Sequence, residues 1–409
     1  MKKGKLIILG TVAIVVTAVV AAIILLSTPG KSIPTLDIHK VNIQDSIARD
    51  DYTVITVQEN PEAFLSNTVL GGKIRHRGHS TWLAPKKPYQ MKLDKSNAIG
   101  NMPPAKKWIL LANYYDKTML RNSLAFEMSR MSKLSYTPQS QFFNVNIDGD
   151  WHGLFLVTEK IELQKNRITK DNGYLLELDH VSRLKPDDAS IYTKKYTIKI
   201  KEPDITVDDQ EFKDVKQFIL DTEQAFFNSN ENDYSTYKEY VDMETLVDWY
   251  ILQEISRNQD ANFYSSVYFT YKPGGKLKFG PVWDFDIGFG NINYSDNYEI
   301  EGYLLDDNEW LKYILEDPEF IALRKKRYSY FYEQKDRLLS FLDNQAAIIE
   351  PTVISNHKKY HMMARETWPN RVIFTTYMEY VEDLKQWLSQ RMDYLNEEFV
   401  IKQDTISVQ

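Results

Sequence analysis

The hydrophobic period changes along this chain, and that change limits the folds open to it. In the first half apolar residues alternate. "TLDIHKV" and "YTVITV" within residues 31–60 read as strands, and "PKKPYQMKLDK" (85–95) sets Tyr89, Met91 and Leu93 against Gln90, Lys92 and Asp94. "FFNVNIDGDWHGLFLVTEKI" (142–161) is a pair of alternating runs around Asp148-Gly149, a hairpin signal. One helical stretch interrupts these strands at 116–134, with Met119, Leu120, Leu124, Met128 and Met131 at helical spacing and Asp116 in capping position. From residue 211 the spacing becomes helical, as in "EFKDVKQFILDTEQAFF", "METLVDWYILQEISRN" and "YVEDLKQWLSQRMDYLNEEF". A short hairpin intervenes, "SVYFTYK" and "KLKFG" joined through "PGG". The reading is an α+β chain with a strand-rich part (31–164), a polar connecting segment (165–210) and a helix-rich part (211–409).

Residues 1–30 read differently. Three lysines in "MKKGK" precede an uncharged apolar run, Leu6 to Leu26. At helical rise such a run spans about 30 Å, one hydrocarbon core. It is longer than the apolar region of a cleavable signal and lacks a small-residue cleavage pattern. The expectation is one membrane-spanning helix with the N-terminus cytoplasmic and the body from about Lys31 outside the cytoplasm, a cleaved signal peptide being the alternative. The chain has 409 residues and no cysteine, which excludes disulfides, zinc–thiolate sites and thiol catalysis. A net charge of −7 gives no basic footprint for nucleic acid.

Chemistry concentrates in "GPVWDFDIGFGN" (280–291). If this segment is a strand, Asp284 and Asp286 share one face and Phe285 takes the other. Two neighbouring carboxylates raise each other's pKa unless a cation compensates, and Mg²⁺ prefers such oxygen ligands. A strand-rich lobe carrying a basic, glycine-containing strand, followed by a helical lobe with a late acidic "DFD", is also the plan of a protein kinase. The blocks "KIRHRGHSTWLAPKKPYQMKLD", "WILLANYYDKTMLRNSLA", "VNIDGDWHGLFLVTEKI", "EISRNQDA" and "GPVWDFDIGFGN" resemble, in order, those of the CotH kinase family, named for spore coat protein H. The likeness runs from about residue 35 to 400.

That resemblance implies an atypical, two-lobed kinase fold that transfers phosphate from ATP to protein serine or threonine with Mg²⁺. It makes Asp260 of "EISRNQDA" the residue that orients the acceptor hydroxyl and takes its proton; read alone, Asp260 is a helix-end or turn aspartate. It makes Asp284 a metal ligand, with Asp286 as a second ligand or a loop-ordering residue. Lys92 is the first choice for the phosphate-pairing lysine and Lys87 its rival. Arg77 and Gly78 of "RGHS" are further phosphate-binding candidates, although His79 stands where the family more often has asparagine. Glu127 is placed to pair the lysine, or is a surface glutamate. The expected partners are ATP, a protein acceptor rich in serine and threonine, and a membrane through residues 6–26. The alternative is a non-catalytic surface or coat-organising protein that keeps the fold for binding; intact Asp260 and Asp284 favour the enzyme.

Overall fold

The computed structural model describes residues 33–60 and 68–403. The N-terminal strands are β1 (Thr35–Lys40), β2 (Thr53–Asn60), β3 (Val69–His76), β4 (Tyr89–Ile99), β5 (Met102–Leu111), β6 (Ser140–Ile147) and β7 (Asp150–Glu159). They close into a seven-stranded barrel in the order β1-β2-β3-β4-β5-β7-β6. Closure is made by a parallel pairing of β1 with β6, Thr35 opposite Asn144 through Ile38 opposite Ile147. Every other contact in the barrel is antiparallel. Alternation fills the interior with Ile38, Ile74, Met91, Trp108, Phe143 and Phe155. The β6–β7 turn is made by Asp148 and Gly149, both at positive φ (52° and 86°), the conformation of a two-residue hairpin.

A second sheet of five strands has the order β12-β11-β8-β10-β9. Its strands β8 (Tyr174–Leu178), β9 (Ser190–Tyr192) and β10 (Thr197–Glu202) come from the segment 165–210. The hairpin β11 (Val267–Tyr271) and β12 (Leu277–Phe279) comes from much later in the chain. The helices are α1 (Arg121–Arg130), α2 (Gln210–Asn228), α3 (Ser235–Tyr240), α4 (Met243–Ser256), α5 (Pro318–Glu333), α6 (Lys335–Tyr360) and α7 (Tyr377–Asn396). Every residue of α4 from Thr245 to Ser256 is buried, so α4 is the central helix and has no solvent stripe. It packs against α1, α5, α7 and β12. Helix α6 braces the barrel: Asn356 Oδ1 accepts from Leu154 N at 3.2 Å, and the Tyr360 hydroxyl donates to His152 O at 2.8 Å.

Three expectations are corrected. The kinase-like plan of two lobes does not hold, because the first strands close on themselves and the remaining sheet is shared between the connecting segment and the later hairpin. The helix expected over 116–134 spans only Arg121–Arg130, since Asp116 organises a turn ahead of it. Asp116 Oδ1 accepts from Thr118 N, and its Oδ2 accepts from Arg121 N at 2.8 Å. The single-pass membrane protein, with its membrane partner and extracytoplasmic body, is likewise not sustained. Among the described residues no helix is long and apolar enough to cross a membrane. The longest, α6, carries Lys335, Asp336, Arg337, Asp343, Glu350, Lys358 and Lys359. The run 6–26 lies outside the described residues.

Candidate functional site

A cleft of about 510 Å³ opens between the end of the barrel and the five-stranded sheet. From the barrel side come Arg77, Gly78 and Lys86, with Ala112, Asn113 and Asn122 behind them. From the other side come Glu177, Asp179, Arg183, Asp260, Asp284 and Asp286.

Asp260 follows the abrupt end of α4. Arg257 takes a left-handed conformation (φ 43°), which turns the chain out of the helix into Asn258 and Asp260. The Asp260 carbonyl accepts from Tyr264 N at 3.1 Å and Ser265 N at 3.0 Å, and the Ser265 hydroxyl donates to its carboxylate at 3.3 Å. Burial pushes the Asp260 carboxyl up to about 6; the charge of Asp284 adds to the rise, and Arg183 opposes it.

The 280–291 segment is not a strand. Asp284 is left-handed (φ 68°), so a turn rather than alternation brings both acids to the cleft while Phe285 stays buried. Four side chains hold this turn. Asn122 Oδ1 accepts from Phe285 N at 2.9 Å, and Asn258 Nδ2 donates to Asp284 O at 3.0 Å. Arg121 Nε donates to Gly288 O at 3.1 Å, and Asn291 Nδ2 donates to Asp286 O at 2.7 Å. Arg121 is fixed in turn by the buried Asp116 carboxylate at 2.7 Å. Burial raises the pKa of Asp284 while Arg77 and Arg183 pull it down. Asp286 is raised well above the usual carboxylate range, first by burial and then by the charges of Asp284, Asp260 and Asp116.

Arg77 leaves β3 at the rim of the cleft, its guanidinium 5.7 Å from the Trp283 ring centroid. Burial lowers its pKa, and Asp284 is the strongest charge opposing that change. Gly78 has φ 96°, and a Cβ there would lie 2.0 Å from Thr81 Oγ1, so the turn admits no side chain. Lys92 and Lys87 are not among the residues that line the cleft. Lys92 lies in β4 directly between Lys73 of β3 and Lys107 of β5, on the outer face of the barrel. Lys87 Nζ donates to Trp82 O at 2.7 Å and Ala84 O at 3.2 Å. The lysine that does line the cleft is Lys86, buried, with its ammonium donating to the carbonyls of Ala112 and Leu154. Burial drives its pKa well below the lysine range. Glu127 pairs with Arg130 and Arg337.

Sequence reading gave Asp116 only a capping role and passed over Asn122, Asn258 and Arg121, which with it shape the acidic turn. Their local signals were the "RN" pairs at 121–122 and 257–258, each just past or before a helix boundary.

Among the described residues no group of three or more His, Cys, Asp or Glu side chains is arranged to hold a metal ion. Asp284 and Asp286 nonetheless fit Mg²⁺, which commonly takes one or two protein carboxylates and completes its shell with phosphate and water. The charges that act most on Asp286 are all acidic, and a cation is what such a site lacks. An acid-lined cleft with arginines at its sides is suited to a polyanion that carries a divalent cation.

The CotH kinase protein family matches residues 74–395, most of the chain, and the chain belongs to that family. Membership makes its function kinase-like and brings ATP, Mg²⁺ and a protein substrate into consideration. No curated protein matches the chain.

Proposed function

We propose that this chain transfers the terminal phosphoryl group of ATP to a serine or threonine hydroxyl of a protein acceptor. One observation carries the reading: Asp260, Asp284, Asp286, Arg77 and Gly78 converge on a single cleft in a chain of the CotH kinase family. Phosphoryl transfer asks a protein chiefly to position the reactants and balance their charge. Asp260 orients the acceptor hydroxyl and receives its proton. A carboxyl held at about 6 is a stronger base than an ordinary aspartate and is still ionised near neutral pH. Asp284 and Asp286 hold Mg²⁺, which when bound offsets phosphate charge. Arg77 offers its guanidinium donors to phosphate oxygens, and the open backbone at Gly78 lets the 77–81 turn approach them.

The test is transfer from γ-labelled ATP to a serine-rich acceptor and to the protein itself, with Mg²⁺ and with a chelator. Asp260→Asn should lower transfer by roughly 10²–10⁴-fold while ATP binding stays near wild type. Equal rates in the two proteins would remove Asp260 from the chemistry. Absence of transfer by the wild type across a broad acceptor panel would favour the binding-protein alternative.

A further inference from the structure

Arg183 belongs to the connecting segment, where the sequence offers no reason to single it out. Its guanidinium lines the cleft, yet donates no side-chain hydrogen bond among the described residues; its nearest acid is Asp179 at 3.7 Å. Asp179 is already engaged by Lys199 Nζ at 3.1 Å, and the same ammonium bridges to Glu177 at 3.1 Å. The Arg183 donors are therefore unspent, and an arginine fork is suited to carboxylate or phosphate oxygens.

The guanidinium is also pre-oriented. It lies over the Tyr264 ring at 5.3 Å, and His180 stacks on that ring at 4.9 Å. His180 further accepts from Ser182 N at 3.3 Å, which fixes the short turn Val181–Arg183. From this position the positive charge acts on both Asp260 and Asp284, lowering the pKa of each. In the proposed reaction those two carboxylates mark the acceptor end and the metal end, and the group between them is the phosphoryl in transit.

We infer that Arg183 is a catalytic residue whose guanidinium binds the phosphoryl group during its transfer; the inference rests on the phosphotransfer reading above. In that step the acceptor oxygen forms its bond to the γ-phosphorus while its proton passes to Asp260. The bond from that phosphorus to the β–γ bridging oxygen breaks, and the electron pair stays on ADP. Arg183 donates to the equatorial oxygens, where charge accumulates. Arg77, on the barrel side of the cleft, serves the bound nucleotide.

Two variants and two ligands test this. For Arg183→Met and Arg183→Lys, turnover is measured alongside the affinities for Mg·ATP and for Mg·ADP with aluminium fluoride, a mimic of the planar phosphoryl. A group that acts in the transition state should leave ATP affinity within about threefold of wild type. In Arg183→Met, turnover and aluminium-fluoride affinity should both fall by roughly 10²–10³-fold. Lysine should restore only part of this, because it lacks the planar fork. Unchanged thermal denaturation keeps misfolding out of the comparison. Wild-type turnover and analogue affinity in Arg183→Met would overturn the inference and leave the phosphotransfer reading standing. So would a loss of ATP affinity as large as the loss of turnover. Failure of the wild-type protein to bind Mg·ATP would overturn both.

Discussion

His357 offers a test of how the site is held together, through the response of stability to pH. Its ring lies buried in α6; Nε2–H donates to Lys117 O at 2.7 Å, which leaves Nδ1 to accept from Asn356 Nδ2 at 3.3 Å. Burial lowers the imidazole pKa to about 4; the bond to Lys117 O and the charge of Asp116 work against that fall, and Lys86 and Lys117 reinforce it. The folded pKa lies below the ordinary value of 6.5, so the unfolded chain binds the extra proton first. The stabilisation is therefore complete above about pH 6.5 and is lost as pH falls towards 4. Linkage between those two pKa values gives a loss of about 2 kcal/mol at pH 5 and about 3 kcal/mol at pH 4. His357→Gln keeps a donor for Lys117 O and cannot titrate. Urea denaturation from about pH 7.5 to 4 should show wild-type stability falling more steeply than that of His357→Gln, by about these amounts. Carboxylate titration is common to both proteins and cancels in the difference. Parallel curves, with a difference flat to about 0.5 kcal/mol, would refute the reasoning.

Two further outcomes follow from other parts of the structure. Asp284→Asn should weaken Mg²⁺-dependent ATP binding, read by calorimetric titration, and Asp286→Asn should weaken it less; wild-type affinity in Asp284→Asn would take that residue out of the metal site. Arg391 is buried against Glu254 (3.1 Å) and donates to the carbonyls of Glu254, Ile300 and Gly302. Arg391→Met removes the ion-pair partner of the buried Glu254 carboxylate, which keeps its bonds from Leu304 N and Leu305 N, and should cost about 3–5 kcal/mol in denaturant melts, whereas a loss below about 1 kcal/mol would show the pair to be dispensable.

What could be read from the sequence was local. The Asp148-Gly149 hairpin, the "PGG" hairpin and helices α2, α4 and α7 stand where spacing and turn chemistry put them, because each depends on residues only a few positions apart. Barrel closure depends on Thr35–Ile38 meeting Asn144–Ile147, and no local pattern distinguishes strands that close from strands that lie open. Lys92 stands away from the cleft for a related reason. Alternation correctly put Lys92 on the polar face of its strand, but that face is the outside of a barrel, and closure moved it away from the cleft. The acids line the cleft for a reason the strand reading did not contain. Asp284 and Asp286 reach one cleft because Asn122, Asn258 and Arg121 hold a left-handed turn open, and these come from two helix boundaries far from "DFD" in sequence. His357 is bound into the same arrangement: its partner Lys117 adjoins Asp116, and Asp116 fixes Arg121, which grips Gly288. Acid that protonates His357 thus acts at the far end of the chain of contacts supporting the acidic turn. The cleft and the stability of α6 against the 116–121 segment should fail together.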